Sequence, residues 1–177
     1  MIETVTRPEL ATARLLLRPL AMADAPRLAE LGDDFEVARM LTSCPYPYTL
    51  ADAEALIRRG RDADRADEVM FAIELPGEGP IGTIGFDPDG VLAREVGYWI
   101  GRPYWSRGYV SEALAASLRW VVGAWGRRCV TARHFVDNPA SAAILQRAGF
   151  LYTGRTEWRH CVSRGEAVLN RWMVWLS

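Results

Sequence analysis

The spacing of apolar residues along this 177-residue chain changes several times, and each change marks an element. The run RLLLRPL, from Arg14 to Leu20, is short, apolar and closed by a proline, and reads as a strand. Asp24 stands before APRLAEL as the N-cap of a short helix, and Phe35 to Met40 adds a helical turn. Two prolines make CPYPY, from Cys44 to Tyr48, a loop. From Asp52 to Asp64, Ala55, Leu56 and Arg59 recur at helical spacing among charges, as in an amphipathic helix. Val69 to Leu75, Ile81 to Phe86 and Val91 to Ile100 then read as three strands. A turn at Pro76 to Pro80 and a DPDG turn at Asp87 to Gly90 separate them, which is an antiparallel meander.

After the meander the period lengthens. Between Gly108 and Gly123, Val110, Ala113, Leu114, Ser117, Leu118, Val121 and Val122 fall on one helix face. Cys129 to Phe135 returns to a strand, and Asn138–Pro139 opens a second helix that ends before Gly149. Phe150 begins another strand, followed by a basic loop carrying Arg155, Arg159 and Arg164, and Ala167 to Leu176 is the last strand. Strands and helices in this order, with no repeat or linker, describe one α+β domain over residues 1–177.

Composition narrows the function classes. Half the residues are hydrophobic, 24% are charged and the net charge is −1, so a disordered chain is excluded and a dedicated nucleic-acid binder disfavoured. The three cysteines are too few and too widely spaced for a disulfide framework or a zinc site, and no metal is expected. No apolar run has the length of a membrane span, and no signal peptide is visible. The expected setting is the reducing cytoplasm, with no membrane partner.

Candidate chemistry concentrates in EVGYWIGRPYWSRGYVSEALAASL, from Glu95 to Leu118, where a strand passes through a tight turn into a helix. The first amides of a helix lack internal acceptors, and the helix dipole favours an anion beside them. Gly108 allows close approach, and Ser106 and Arg107 add donors, so this turn suits a phosphate. A plain turn glycine and a solvated arginine explain the same residues. It is neither a Walker A loop nor a dinucleotide fingerprint. In NPASAAILQRAGF, from Asn138 to Phe150, capping alone accounts for Asn138, Pro139 and Gly149.

Together the two segments resemble the GCN5-related N-acetyltransferase family, in the branch of the ribosomal-protein N-terminal acetyltransferases. The family's acetyl-CoA motif, [QR]-x-x-G-x-[GA], falls on Trp105-Ser106-Arg107-Gly108-Tyr109-Val110, and the WSRGYVSEA around it is close to the branch's WGKGYATEA. Val110 departs from the motif's small residue. The later motif N-x-x-S-x-x-x-L-x-x-x-G-F matches Asn138, Ser141, Leu145, Gly149 and Phe150. The opening RLLLRPL and the GYWI of the meander also look like the branch. The resemblance implies a mixed, mostly antiparallel sheet flanked by helices, with a V-shaped wedge for acetyl-CoA between Val91–Ile100 and Cys129–Phe135.

The pantetheine arm would pair with backbone of Tyr98 and Ile100, beside Trp99. The pyrophosphate would sit on the amides of Arg107 to Ser111, with Trp105, Ser106 and Tyr109 around it, and Asn138 would reach the cofactor. Glu112 is frequent in the branch, though an acid at a helix start needs no function.

The implied reaction is direct attack of a neutral amine on the thioester, with a backbone amide of the Tyr98–Ile100 strand receiving the oxyanion. The family's glutamate base, five residues before the motif asparagine, is Arg133 here. The family's tyrosine acid, seven after, is Leu145. The branch instead offers the serine three residues after the asparagine, so the resemblance implies Ser141 as the partner of the leaving thiolate, although a first-turn serine also caps locally; Glu95 is the candidate base, though a solvated strand-end acid explains it too. Tyr46, Tyr48, Tyr98, Trp99 and Trp158 are candidates for the acceptor wall, with Tyr46 and Trp158 taken as substrate-binding. His160 and Cys161 point to opposite faces of a strand and form no dyad. Three readings stay open: acetylation of a protein N-terminus, acetylation of a small amine such as an aminoglycoside or polyamine, and a non-catalytic acetyl-CoA sensor. A homodimer is a further expectation of the resemblance.

Overall fold

The computed structural model describes residues 8–62, 68–89 and 93–177. Its strands are β1 (Leu10–Ala11), β2 (Leu16–Pro19), β3 (Val69–Leu75), β4 (Gly79–Asp89), β5 (Ala93–Ile100), β6 (Cys129–Phe135), β7 (Leu151–Cys161) and β8 (Glu166–Leu176). Its helices are α1 (Ala25–Gly32), α2 (Phe35–Ala38), α3 (Leu50–Asp62), α4 (Tyr109–Gly123) and α5 (Pro139–Arg147). The strands form one sheet in the order β1-β2-β3-β4-β5-β6-β8-β7. Every neighbouring pair is antiparallel except β5 and β6. That is the expected mixed, mostly antiparallel architecture.

The strand register sorts side chains onto two faces. Leu17, Phe71, Ile73, Ile84, Phe86, Val96 and Val130 share one face and pack with Val110, Ala113, Leu114, Leu118 and Val121 of α4 and Leu145 of α5, forming the larger core. Met70, Ala72 and Trp99 lie on the other face against Leu28 of α1 and Ala53 and Ile57 of α3. Hence α1 and α3 cover one side of the sheet, and α4 and α5 the other.

Several boundaries differ from the sequence reading. Asp87, Pro88 and Asp89 of the expected DPDG turn are strand instead, because β4 continues through them opposite Glu95, Arg94 and Ala93. The Gly101 amide donates to Ile81 O, which turns the even-numbered backbone groups of β4 away from β5. Pro88 thus presents its missing N–H toward β3, which ends opposite Phe86, so no ladder bond is lost. Gly90, Val91 and the end of the expected charged helix at Asp64 lie outside the described residues.

The expected basic loop is mostly strand. Arg155 and Arg159 belong to β7, and only Arg164 sits in the turn before β8. Asp24 does not cap α1 with its side chain. Its carboxylate instead accepts from the Ala21 amide and from both terminal nitrogens of Arg18.

Candidate active site

The strand-to-helix turn has the geometry its sequence suggested. After β5, a 3-10 turn (Arg102–Tyr104) leads into Ser106 at φ 60° and Gly108 at φ 79°, two left-handed residues that curl the backbone around the start of α4. The first bond within the helix is Glu112 N–H to Gly108 O at 3.1 Å, so the amides of Tyr109, Val110 and Ser111 have no acceptor inside α4. A Cβ placed on Gly108 would meet only the Arg14 guanidinium, at 3.4 Å, so the cradle is open. An anion fits here. The bulk of Val110 is buried in the larger core beneath the turn.

The turn is braced from the start of the chain, which sequence reasoning missed. Arg14 donates to Arg107 O (2.9 Å) and Glu112 Oε2 (2.8 Å), and its guanidinium lies 4.6 Å from the Tyr109 ring centroid. Glu112 also accepts from Thr12 Oγ1 at 2.6 Å and from the Arg14 amide at 2.8 Å. Burial works to raise its pKa, but these bonds outweigh burial and hold it below the usual carboxylate range. Glu112 is therefore a strut.

The wedge is a gap in the sheet. β5 and β6 pair only at Arg94–Val96 with Val130–Ala132. Beyond that, β5 stays with β4 to Ile100, while β6 stays with β8 to Phe135. The same parity that turns Trp99 N–H toward β4 turns the backbone groups of Tyr98 and Ile100 into the gap. Ile100 O is already taken by Trp105 Nε1 at 2.8 Å. That leaves Tyr98 N–H and C=O, and Ile100 N–H, facing the gap. Trp99 thus contributes its side chain to the wall and no backbone group.

A cleft of about 1260 Å³ occupies the gap and opens on both faces of the sheet. Ser106, Gly108, Tyr109, Val110 and Ser111 line it at the turn, and Tyr98, Asn138 and Ser141 line it beside α5. Asn138 Oδ1 caps α5 by accepting from the Ser141 amide at 3.0 Å. The Ser141 hydroxyl takes no part in that cap. It lies 2.8 Å from the Tyr98 hydroxyl, across the gap. Burial pushes the Tyr98 hydroxyl up to about 12, against the opposing bond from Ser141.

On the α1–α3 face, Glu95 accepts a two-pronged bond from Arg133, with Nε at 2.6 Å and Nη2 on the other oxygen. Burial, with lesser help from Asp89 and Asp87, pushes the Glu95 carboxyl up against the Arg133 charge. Tyr48 and Trp99 line this side of the cleft with Leu56 and Met70. Tyr46 and Trp158 do not. Tyr46 is half exposed and edge-on to Phe35, and Trp158 is 68% exposed on β7. Both were expected from their aromatic rings alone, and their strand and loop positions turn them outward. His134 is buried, with Nδ1 at Phe135 O (2.8 Å) and Nε2 at the Tyr152 hydroxyl (3.0 Å). Among the described residues no group of three His, Cys, Asp or Glu side chains is placed to hold a metal ion.

Known proteins share both the sequence pattern and the fold. Residues 14–151 match the acetyltransferase (GNAT) domain family. The chain is 30% identical over 155 residues to the uncharacterized N-acetyltransferase YoaA of Bacillus subtilis (strain 168), covering 83% of this chain and 85% of YoaA. It is 27% identical over 151 residues to the uncharacterized N-acetyltransferase p20 of Bacillus licheniformis, covering 82% and 83%. In fold it is similar to RimJ of Mycobacterium smegmatis in complex with CoA-disulfide, with TM-score 0.83, 21% identity and coverage of 97% and 88%. It is also similar to RimL, the ribosomal L7/L12 α-N-protein acetyltransferase in complex with coenzyme A, with TM-score 0.82, 18% identity and coverage of 96% and 98%. An open helix-start cradle, a gap between parallel strands edged with free amides, and these matches agree: the chain belongs to the GNAT family and is an N-acetyltransferase that takes acetyl-CoA as its donor.

Proposed function

We propose that the acceptor is the α-amino group of a protein N-terminus. The observation that carries this reading is the state of the acids near the acceptor side. Glu95 is held by Arg133, Asp87 lies beside Arg59, Asp52 accepts from Thr49, and Asp89 accepts from Thr131. Each of these carboxylates is thus engaged by a neighbour, and Glu95, whose carboxyl burial pushes up, has both oxygens on Arg133. An α-amine with pKa near 8 needs little help, since roughly a quarter of it is neutral at pH 7.5, against about 0.1% of a lysine. The resemblance in fold to RimL, a ribosomal L7/L12 α-N-protein acetyltransferase, supports the same choice. Aminoglycosides and polyamines would ask for free acids around the cleft.

Acetyl-CoA supplies the activated acetyl group when bound. The amides of Tyr109, Val110 and Ser111, with Ser106, Arg107 and Gly108, fit its phosphates. Tyr98 and Ile100 offer the backbone edge to its arm, in the manner of an added strand. Their N–H groups are also the donors available to negative charge growing on the carbonyl oxygen. The Tyr98 and Ser141 hydroxyls share one hydrogen bond across the gap, and with Tyr98 as its donor the Ser141 proton is directed to the leaving sulfur. Glu95 acts as the fixed partner of Arg133, and water carries the amine's proton away. The reading sets the protein in the cytoplasm, where free thiols persist.

A thiol-release assay with acetyl-CoA tests the proposal by offering N-terminal peptides, lysine peptides, aminoglycosides and polyamines in parallel. Turnover is expected on N-terminal peptides. Turnover confined to the small cationic amines would overturn it.

A further inference from the structure

We propose that the acceptor carries a carboxylate close to its amine, and that Arg159 holds it. The proposal deepens the reading above and rests on one part of it, acetyl transfer to an α-amine.

The three arginines near the final hairpin do different things. Arg164 donates to Arg39 O (2.7 Å) and pairs with Asp137 (2.7 Å). Arg155 lies over the Trp172 ring at 4.1 Å and beside Glu157 at 3.6 Å. Arg159 has no hydrogen bond or ion pair to any described residue, although it is half-buried and lines the cleft.

Strand register fixes where Arg159 points. On β7 it shares a face with Glu157 and Cys161. Glu157 reaches Trp172 Nε1 (3.1 Å) and Arg133 (3.8 Å), on the side of the Glu95 pair. The Cys161 thiol donates to Leu41 O at 3.3 Å, on the segment after α2. Arg159 stands between these two anchors and faces the acceptor end of the cleft.

The other charges there are committed. Arg133 belongs to Glu95, Arg59 lies 3.5 Å from Glu68 and 3.8 Å from Asp87, and Asp52 is bonded by Thr49. Among the described residues, the cation left over on the acceptor side is Arg159. A guanidinium partly withdrawn from water selects a planar anion, and a carboxylate offers the two oxygens its fork matches. Two sources have this chemistry: the acidic side chain of a peptide's second residue, and the α-carboxylate of a free amino acid.

The test uses two matched pairs. One is a pair of peptides starting with serine followed by glutamate or by glutamine. The other is free serine against serinamide. Each is assayed for kcat/KM with acetyl-CoA and, separately, for binding to the CoA-bound protein by calorimetry. In at least one pair the carboxylate-bearing member should be about ten-fold better, as for a hydrogen bond to a charged group. Which pair responds identifies the source. Arg159→Gln should erase the preference and Arg159→Glu should reverse it, with acetyl-CoA still bound in both. Equal values for both members of each wild-type pair, or a preference that survives Arg159→Gln, would overturn the anchor. Acetylation of these α-amines without preference would sink the anchor and leave the transfer reading standing. Carboxylate- and Arg159-dependent binding without acetylation would do the reverse.

Discussion

Replacing Ser141 with alanine separates two roles that lie in one residue. Its amide completes the Asn138 cap, and its hydroxyl meets Tyr98. Ser141→Ala keeps the amide, so α5 and the local fold should persist. The hydroxyl's proposed work is done only when the sulfur leaves with negative charge. A hydrogen bond to a charged group contributes about 1.5–3 kcal/mol, so kcat should fall about 10- to 150-fold. The thioester sulfur is neutral in the ground state, so acetyl-CoA affinity should hold within about two-fold. Tyr98→Phe removes the hydroxyl that orients Ser141 and keeps the ring in the wall. It should lower kcat in the same direction, and the double variant should lose less than the two losses combined. Steady-state thiol release and calorimetry with acetyl-CoA read all three variants. A full kcat in Ser141→Ala, or a loss confined to KM, would refute the assignment.

Three further changes probe the frame of the site. Gly108→Asp puts a negative charge in the cradle at a left-handed position that aspartate tolerates better than most residues, so acetyl-CoA binding should disappear while circular dichroism stays the same; retained binding would dismiss the cradle. Asp24→Asn breaks a pair in which Asp24 is 5% exposed and Arg18 keeps Glu74, at a cost of about 3 kcal/mol, read as a Tm lower by about 6–12 °C. Burial raises the Asp24 carboxyl pKa, but the Arg18 and Ala21 bonds outweigh it and leave it lowered, so its stabilisation is present above the unfolded pKa and is lost as pH falls through the folded one. Urea unfolding should accordingly show stability falling toward acid pH, and falling less steeply in Asp24→Asn; equal slopes would deny Asp24 that part. Trp105→Phe frees Ile100 O and loosens the turn from β5, so acetyl-CoA should bind about five-fold more weakly, the value of one ordinary hydrogen bond.

The helix stripe of α4 was legible because its apolar residues meet a single core, and six of its seven positions are buried. The cradle was legible because Gly108 is followed at once by that stripe. What the sequence hid depended on distant partners. The Tyr98–Ser141 contact spans 43 residues, and the Arg14–Glu112 brace spans 98. No local periodicity signals either. The misplaced DPDG turn shows the opposite failure, a strong local signal overridden by position: Pro88 is tolerated because β3 has already ended beside it. The Arg155 to Arg164 stretch looked like one basic loop because Gly154 and the charges mask alternation. Only β8 as a pairing partner makes it a strand and turns Arg159 inward.

Register also explains why this sheet suits a two-substrate reaction. Tyr98 and Glu95 belong to the same strand at opposite parity, so one side chain meets Ser141 on the α5 face and the other meets Arg133 on the α1–α3 face. The gap between β5 and β6 is where the two faces communicate, and it is edged by the free N–H groups of Tyr98 and Ile100. On the proposed reading, the leaving sulfur is served from one face and the amine arrives from the other, so the groups that serve them need not compete for space. Donors for the carbonyl oxygen then lie between them, on the strand itself. Such an arrangement works only while the gap stays open. Gly82 contributes to that, because a Cβ there would fall 2.1 Å from Trp99 O and push the end of β5 away from β4 toward the gap. A glycine on the neighbouring strand, with no contact to either substrate, thus belongs to the determinants of the site.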